Sequence, residues 1–185
     1  CAHDLALMGY KVTMFEATNV AGGMLRHGIP EYRLSRSLID KEIEKITSLG
    51  VEIRYSKPLT ERFGIKDLRK EGFEAVFISV GTQKGRDLAI EGADLDGVVK
   101  AIDYLININN GYRVDLGKRV LIIGGGFVAF DAARMALRGG PDAQPADIHE
   151  AVDVARTAKR KGAEEVHVAS LESFEEMPVL RTSQG

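Results

Sequence analysis

Apolar positions along this chain alternate between short β-branched runs and stripes at helical spacing. Residues 120–123, V-L-I-I, suit a strand buried on both faces of a parallel sheet, and three glycines end the run. After them Val128, Ala132, Met135 and Ala136 recur at helical spacing, with Arg134 and Arg138 on another face. The predicted order is strand, glycine turn, helix. Residues 38–49 carry a second stripe, made of Leu38, Ile39, Ile43, Ile46 and Leu49 and capped by Gly50. Residues 2–10 read as the tail of a helix ended at Gly9, with a strand over 11–15 after it. Further strands are predicted over 51–55, 75–80 and 165–169, a short helix over 65–70, and helices over 98–108 and about 148–161. In the stretch A-G-G-M-L-R-H-G-I-P-E-Y-R-L, the glycines and Pro30 break any regular element. Its interleaved apolar side chains suit a loop that lies against a flat ligand.

These elements spell α/β architecture with two incomplete Rossmann-like halves. The Asn109-Asn110-Gly111 turn is the best boundary, giving domains at 1–110 and 111–185. G-G-P-D-A-Q-P after Arg138 reads as loop, and D-A-A-R-M-A-L-R at Asp131 is echoed by D-V-A-R-T-A-K-R at Asp153. Two short copies make no repeat architecture, so the second lengthens a crossover, with the insertion at about 139–152.

The glycine turn carries the clearest chemistry. In G-x-G-x-x-A, Gly124 permits the tight turn, Gly126 lets a pyrophosphate approach backbone N–H groups, and Ala129 lets helix and strand pack closely. A helix N-terminus there favours negative charge. Glu16, at the end of the strand over 11–15, occupies the place of the acidic residue that hydrogen-bonds ribose hydroxyls; an ordinary solvated carboxylate would look the same. No strand and no glycine motif precede Cys1, so the chain reads as a fragment of something longer. Gly81 and Thr82 follow the buried run over 75–80, where a glycine allows close approach of a ligand or simply makes a turn. Glu172 stands just after the strand over 165–169. As a ribose partner it would repel a 2′-phosphate and favour NADH over NADPH; as a loop carboxylate it would do neither.

Composition narrows the classes. The 185 residues are 44% hydrophobic with a net charge of −2, which suits a soluble globular protein. Charges of both signs are interspersed with no basic patch, so no nucleic-acid partner is expected, and no apolar run is long enough to span a bilayer. The single cysteine excludes an internal disulfide or a cysteine-ligated iron–sulfur cluster within the chain, and a reducing cytoplasm is the expected home. Four histidines show no metal-ligand spacing, Glu175 and Glu176 form no acid/base pair, and no serine or cysteine sits in a nucleophile motif. No catalytic side chain and no metal ligand is therefore expected.

The pieces V-T-M-F-E-A, A-G-G-M-L-R-H-G-I-P-E-Y-R-L, F-I-S-V-G-T, V-L-I-I-G-G-G-F-V-A-F-D-A-A-R and E-E-M-P occur in this order. Together they resemble the flavoprotein family of the glutamate synthase small subunit, which also includes the flavin and nicotinamide half of dihydropyrimidine dehydrogenase. The resemblance implies an FAD domain interrupted in sequence by an NAD(P)H domain. It places Glu16 on the FAD ribose, Gly22, Gly23 and Met24 along FAD, Arg33 and Leu59 in contact with it, and Gly81 and Thr82 near it. Gly124, Gly125, Gly126, Phe127 and Val128 would form the loop under the pyrophosphate of NADH or NADPH. Many members carry a basic pair for the 2′-phosphate where Leu171 and Glu172 stand here, a departure that agrees with NADH. It further implies hydride transfer from NADH to FAD, then single electrons to iron–sulfur clusters on an extension or partner subunit outside this chain. Two other classes compete. A thioredoxin-reductase-like enzyme needs a C-x-x-C pair, against which the lone Cys1 argues, and a non-catalytic nucleotide-binding module needs only the turn.

Overall fold

The computed structural model describes residues 1–138 and 165–170. In chain order these form α1 (Ala2–Leu7), β1 (Thr13–Phe15), α2 (Gly23–His27), α3 (Arg36–Thr47), β2 (Glu52–Arg54), α4 (Ile65–Lys70), α5 (Ala101–Asn109), β3 (Arg119–Ile123), α6 (Phe127–Arg138) and β4 (Glu165–Ala169). They divide into two units. The first comprises Cys1–Arg26 and Ser35–Thr82; the second comprises His27–Leu34 and the described part of Gln83–Gly185. No helix among the described residues is long and apolar enough to cross a membrane.

In the first unit β1 and β2 pair in parallel, Thr13 opposite Glu52 and Phe15 opposite Arg54. Gly9, at φ +88, takes the left-handed turn that stops α1 and leads into β1, and Gly50, at φ +89, does the same after α3. Ile39 of α3, Ala21, Val51 just before β2 and Leu68 of α4 are the buried apolar side chains of this unit among the described residues. Phe15 adds a second contact, its ring 5.6 Å from those of Phe63 and Phe73.

In the second unit β3 and β4 pair in parallel from Arg119 opposite Glu165 to Ile123 opposite Ala169. Strand alternation turns Val120 and Ile122 toward the helices and leaves Leu121 and Ile123 exposed. The core joins Ile122 to Tyr104, Leu105 and Ile108 of α5 and to the small face of α6: Ala129, Ala132, Ala133, Met135 and Ala136. Alanines on that face let the helix pack close to its neighbours.

Two expectations change. The run over 75–80 forms no strand: among the described residues no neighbour pairs with its backbone, and Phe77, Ile78 and Val80 are more than half exposed. The loop expected around Gly22 and Gly23 contains the short helix α2, entered through the positive φ of both glycines, +124 and +49. Helix α5 lies in the second unit, where Tyr104, Leu105 and Ile108 are buried in one core with α6. The expected helix over 148–161, the insertion at 139–152, Glu172 and the E-E-M-P piece lie outside the described residues.

Candidate functional site

The glycine turn between β3 and α6 is built as its sequence requires. Gly124 donates its amide to the Ala169 carbonyl at 2.7 Å, so the turn leaves directly from the paired end of β3 and β4. At φ +127 it occupies a region that side chains rarely adopt, and a Cβ placed on it would lie 3.6 Å from the Ala129 Cβ. Gly125 is buried. Gly126 is the opposite case: it is exposed, and a Cβ there would meet nothing within 4 Å. The Gly126 carbonyl accepts from the Phe130 amide at 3.2 Å, which starts α6. Phe127 and Val128 are 43% and 47% exposed at the first helical positions. A helix start leaves its first amides without intrahelical acceptors, so the open space at Gly126 fits an anion such as a dinucleotide pyrophosphate.

One face of α6 is dedicated to a second task that sequence reasoning missed. Phe127, Asp131, Arg134 and Arg138 fall at i, i+4, i+7 and i+11, and the strap His27–Leu34 lies along them. The Asp131 carboxylate is buried, and its Oδ1 accepts from the Tyr32 hydroxyl at 2.9 Å and from Arg33 Nε at 2.5 Å. Arg134 Nη1 stands 3.8 Å from the same oxygen. The Arg33 guanidinium lies 5.8 Å from the Phe127 ring centre, and that of Arg138 lies 4.0 Å from the Tyr32 ring centre. Burial, then the Asp131 charge and hydrogen bond, push the Tyr32 hydroxyl up to about 12. Burial disfavours the Arg33 cation, but the hydrogen bond and charge of Asp131 outweigh it and raise its pKa. Asn109 Nδ2 also donates to the His27 carbonyl at 2.9 Å, and His27 Nδ1 meets Asn110 Oδ1 at 2.7 Å, which ties the start of the strap to the end of α5. The spacing of Phe127, Asp131, Arg134 and Arg138 was the available signal.

The remaining expected residues lie in the first unit. Glu16 follows β1, and its Oε1 accepts from the Thr18 amide at 2.8 Å and the Thr18 hydroxyl at 3.0 Å. The Glu16 and Thr18 carbonyls accept from the Lys57 and Ser56 amides at 2.9 and 2.8 Å, which brings the segment leading to Leu59 alongside Glu16. Leu59 is 41% exposed. Gly22, at φ +124, leaves only 3.0 Å between a hypothetical Cβ and Ile39 Cγ2, so the glycine pair lies close on α3. Arg26 fastens this loop by donating Nε to the Ala21 carbonyl at 2.7 Å and pairing with Asp40 of α3. Met24 is half-buried in α2. Gly81, at φ +74, and Thr82 are exposed beyond the run over 75–80. Arg33 alone of the residues expected at FAD falls in the second unit, with the glycine turn.

Comparison with known proteins agrees with this architecture. The profile of the family described as pyridine nucleotide-disulphide oxidoreductase matches residues 1–174. The glutamate synthase [NADPH] small chain of Bacillus subtilis is 34% identical over 187 residues, covering 95% of this chain and 38% of the relative. The NADPH-Fe(3+) oxidoreductase subunit beta of Geobacter sulfurreducens is 38% identical over 147 residues, 77% of this chain and 22% of the relative. The NADP(+)-dependent formate dehydrogenase subunit beta of Moorella thermoacetica is 38% identical over 98% of this chain and 23% of its own. The chain thus spans well under half the length of these relatives. Among solved structures, a mutant of FprA from Mycobacterium tuberculosis superposes with a TM-score of 0.68 at 25% identity, over 89% of this chain and 38% of that one. FprA in complex with NADPH shares the fold, with a TM-score of 0.67 at 20% identity, over 93% of this chain and 56% of that one.

Proposed function

The chain belongs to the pyridine nucleotide-disulphide oxidoreductase family, and from that premise we propose that the full-length protein is an FAD-dependent oxidoreductase that takes hydride from NADH. The observation that carries this reading is the glycine turn: Gly124 close against Ala129, and Gly126 open to an incoming phosphate. When bound, the nicotinamide ring supplies hydride at C4 and the flavin accepts it at N5. No side chain need act as acid or nucleophile; the chain's task is to orient two flat rings and hold their phosphates.

The turn of Gly124, Gly125, Gly126, Phe127 and Val128 serves the nicotinamide dinucleotide, through backbone amides and the positive end of α6. Glu16 serves the FAD ribose through whichever of its oxygens Thr18 leaves available, and Gly22, Gly23, Met24 and Leu59 line the flavin nucleotide beside it, with Gly81 and Thr82 at the end of the run over 75–80. Arg26 holds the glycine pair in place for this contact. Electrons then leave for iron–sulfur clusters on a partner subunit or domain, in keeping with relatives that are named as small chains or beta subunits. A donor drawn from the soluble nicotinamide pool fits a cytoplasmic protein.

NADH is the proposed donor, although the relatives are named for NADPH or NADP(+). The sequence supports this through Leu171 and Glu172, where a carboxylate repels the 2′-phosphate. The test is oxidation of NADH against NADPH by the full-length protein with an artificial one-electron acceptor, comparing wild type with Glu172→Arg. Wild type should favour NADH, and the variant should shift toward NADPH by roughly tenfold or more, as an ion pair to phosphate replaces repulsion. An NADPH preference in wild type overturns the role given to Glu172. Absence of flavin leaves only a nucleotide-binding fold.

A further inference from the structure

Two adjacent glycines in the first unit have opposite surroundings. Gly22, at φ +124, is pressed from two sides: a Cβ there would stand 3.0 Å from Ile39 Cγ2 of α3, and 3.1 and 3.2 Å from Arg26 Cβ and Nε. Gly23, at φ +49, faces open space, with nothing within 4 Å of its Cβ position. Arg26 closes the loop that carries them. Its Nε donates to the Ala21 carbonyl at 2.7 Å, so the residue before the pair is tied to the residue three places after it. The Arg26 side chain is only 14% exposed, and a guanidinium so far out of water needs an anion. Asp40 of α3 is that anion: its Oδ1 accepts from Arg26 Nη2. A second bond runs the other way, from Arg36 Nη1 of α3 to the Leu25 carbonyl of α2 at 3.1 Å. A planar guanidinium can serve a carbonyl with one nitrogen and a carboxylate with another in one fixed geometry, which an ammonium cannot do.

We propose that Asp40, acting through Arg26, is a positioning residue for FAD: it holds the backbone of Gly22 and Gly23 in the one shape that the flavin nucleotide fits. The inference rests on the proposed reading of that pair as lining FAD, and it adds the α3 residue that governs the pair. Two successive glycines are conformationally free in themselves, so a single shape needs an outside restraint. The chain of contacts from Ala21 through Arg26 to Asp40 is that restraint. A loop already in its bound shape loses less freedom on binding, so the restraint is felt as FAD affinity. Asp40 touches no nucleotide. Half-exposed on α3, it contributes little to folding through its ion pair alone.

The experiment dilutes the full-length flavoprotein and reads released FAD by its fluorescence, with NAD+ affinity measured by calorimetry in parallel. The variants are Asp40→Ala, Arg26→Ala, their double, Arg26→Lys, Gly23→Asn and, as a control, Glu42→Gln. Arg26→Ala loses both the Ala21 bond and the ion pair, and should raise the FAD Kd by roughly tenfold or more. Asp40→Ala should raise it severalfold in the wild-type background and add nothing in the Arg26→Ala background, because a positioning residue then has nothing left to position. An Asp40→Ala effect that persists undiminished without Arg26 overturns the proposal. NAD+ affinity should stay constant throughout; loss of both nucleotides together marks a general structural defect and overturns it as well. Arg26→Lys should hold FAD nearly as weakly as Arg26→Ala, and wild-type affinity there contradicts the clamp. Glu42 pairs with Lys45 on the same helix, so Glu42→Gln should keep the wild-type FAD Kd. Should Arg26→Ala fail to fold, Asp40→Ala against Glu42→Gln decides, and equal FAD affinity in the two overturns the proposal. Gly23→Asn tests the underlying reading, since asparagine tolerates a left-handed φ and places a side chain in the open space. Wild-type FAD affinity in Gly23→Asn overturns the reading of the pair and the proposal with it. Weakened binding there beside an unaffected Arg26→Ala overturns the proposal alone.

Discussion

Gly124 and Gly126 stand two residues apart and fail differently when given a methyl group. Gly124 sits at φ +127, so Gly124→Ala should cost roughly 1–2 kcal/mol of stability in backbone strain. Gly126 has open space and no left-handed φ, so Gly126→Ala should keep the melting temperature of wild type while weakening NADH binding. Thermal melts with parallel binding titrations separate the two effects, and equal loss of stability in both would contradict the geometry. At this scale the glycine pattern was legible because its meaning is local. Asp131 was not: Tyr32 and Arg33 lie 99 and 98 positions away, and nothing in either segment names the other. Tyr32 gives the cluster a pH signature. Its hydroxyl holds its proton more tightly folded than unfolded, with pKa about 12 against an ordinary 10.0, chiefly because burial disfavours the phenolate. Its stabilising contribution is therefore whole below about pH 10 and is lost as pH climbs through about 12. Buried Tyr104 has the same shift and sign. Stability measured by denaturant should fall across that window, and less steeply in Tyr32→Phe.

Helix α6 shows how one element divides its surface. Its alanine face packs on α5 and β3, while Phe127, Asp131, Arg134 and Arg138 receive the strap. Ala136 is 1% exposed in that packed face, so Ala136→Leu should cost about 1–3 kcal/mol by overpacking, seen as a lower denaturation midpoint. A neutral outcome would mean that the helix can move away from α5. Helical periodicity made α3 and α6 legible to within two or three residues, since each carries its own evidence in the stripe. The run over 75–80 had strand composition but no strand, because a ladder needs a partner's backbone and composition cannot supply one. Asn110 and Gly111 end α5 as the Asn-Gly turn suggested, and what the helix packs against is a tertiary fact that the turn does not carry.

For the molecule as a whole, sequence order and spatial membership part company at the strap. His27–Leu34 lies within the first unit's sequence yet belongs to the second, where Tyr32 and Arg33 share the Asp131 carboxylate. The motif G-I-P-E-Y-R-L was legible as a family mark, but its attachment to α6 is a tertiary fact. The fold class was readable because parallel strand pairs joined through helices leave their pattern in the chain, and both described pairs are parallel. If the nicotinamide dinucleotide binds on the Gly126 turn, as proposed, reduction of the flavin depends on that turn. Anaerobic rapid mixing of the full-length flavoprotein with rising NADH, in wild type and Gly126→Val, tests it most directly. NADH should bleach the wild-type flavin band, and the variant should need a much higher NADH concentration to reach the same rate. Equal bleaching of both proteins at every NADH concentration would instead place the dinucleotide away from the Gly126 turn.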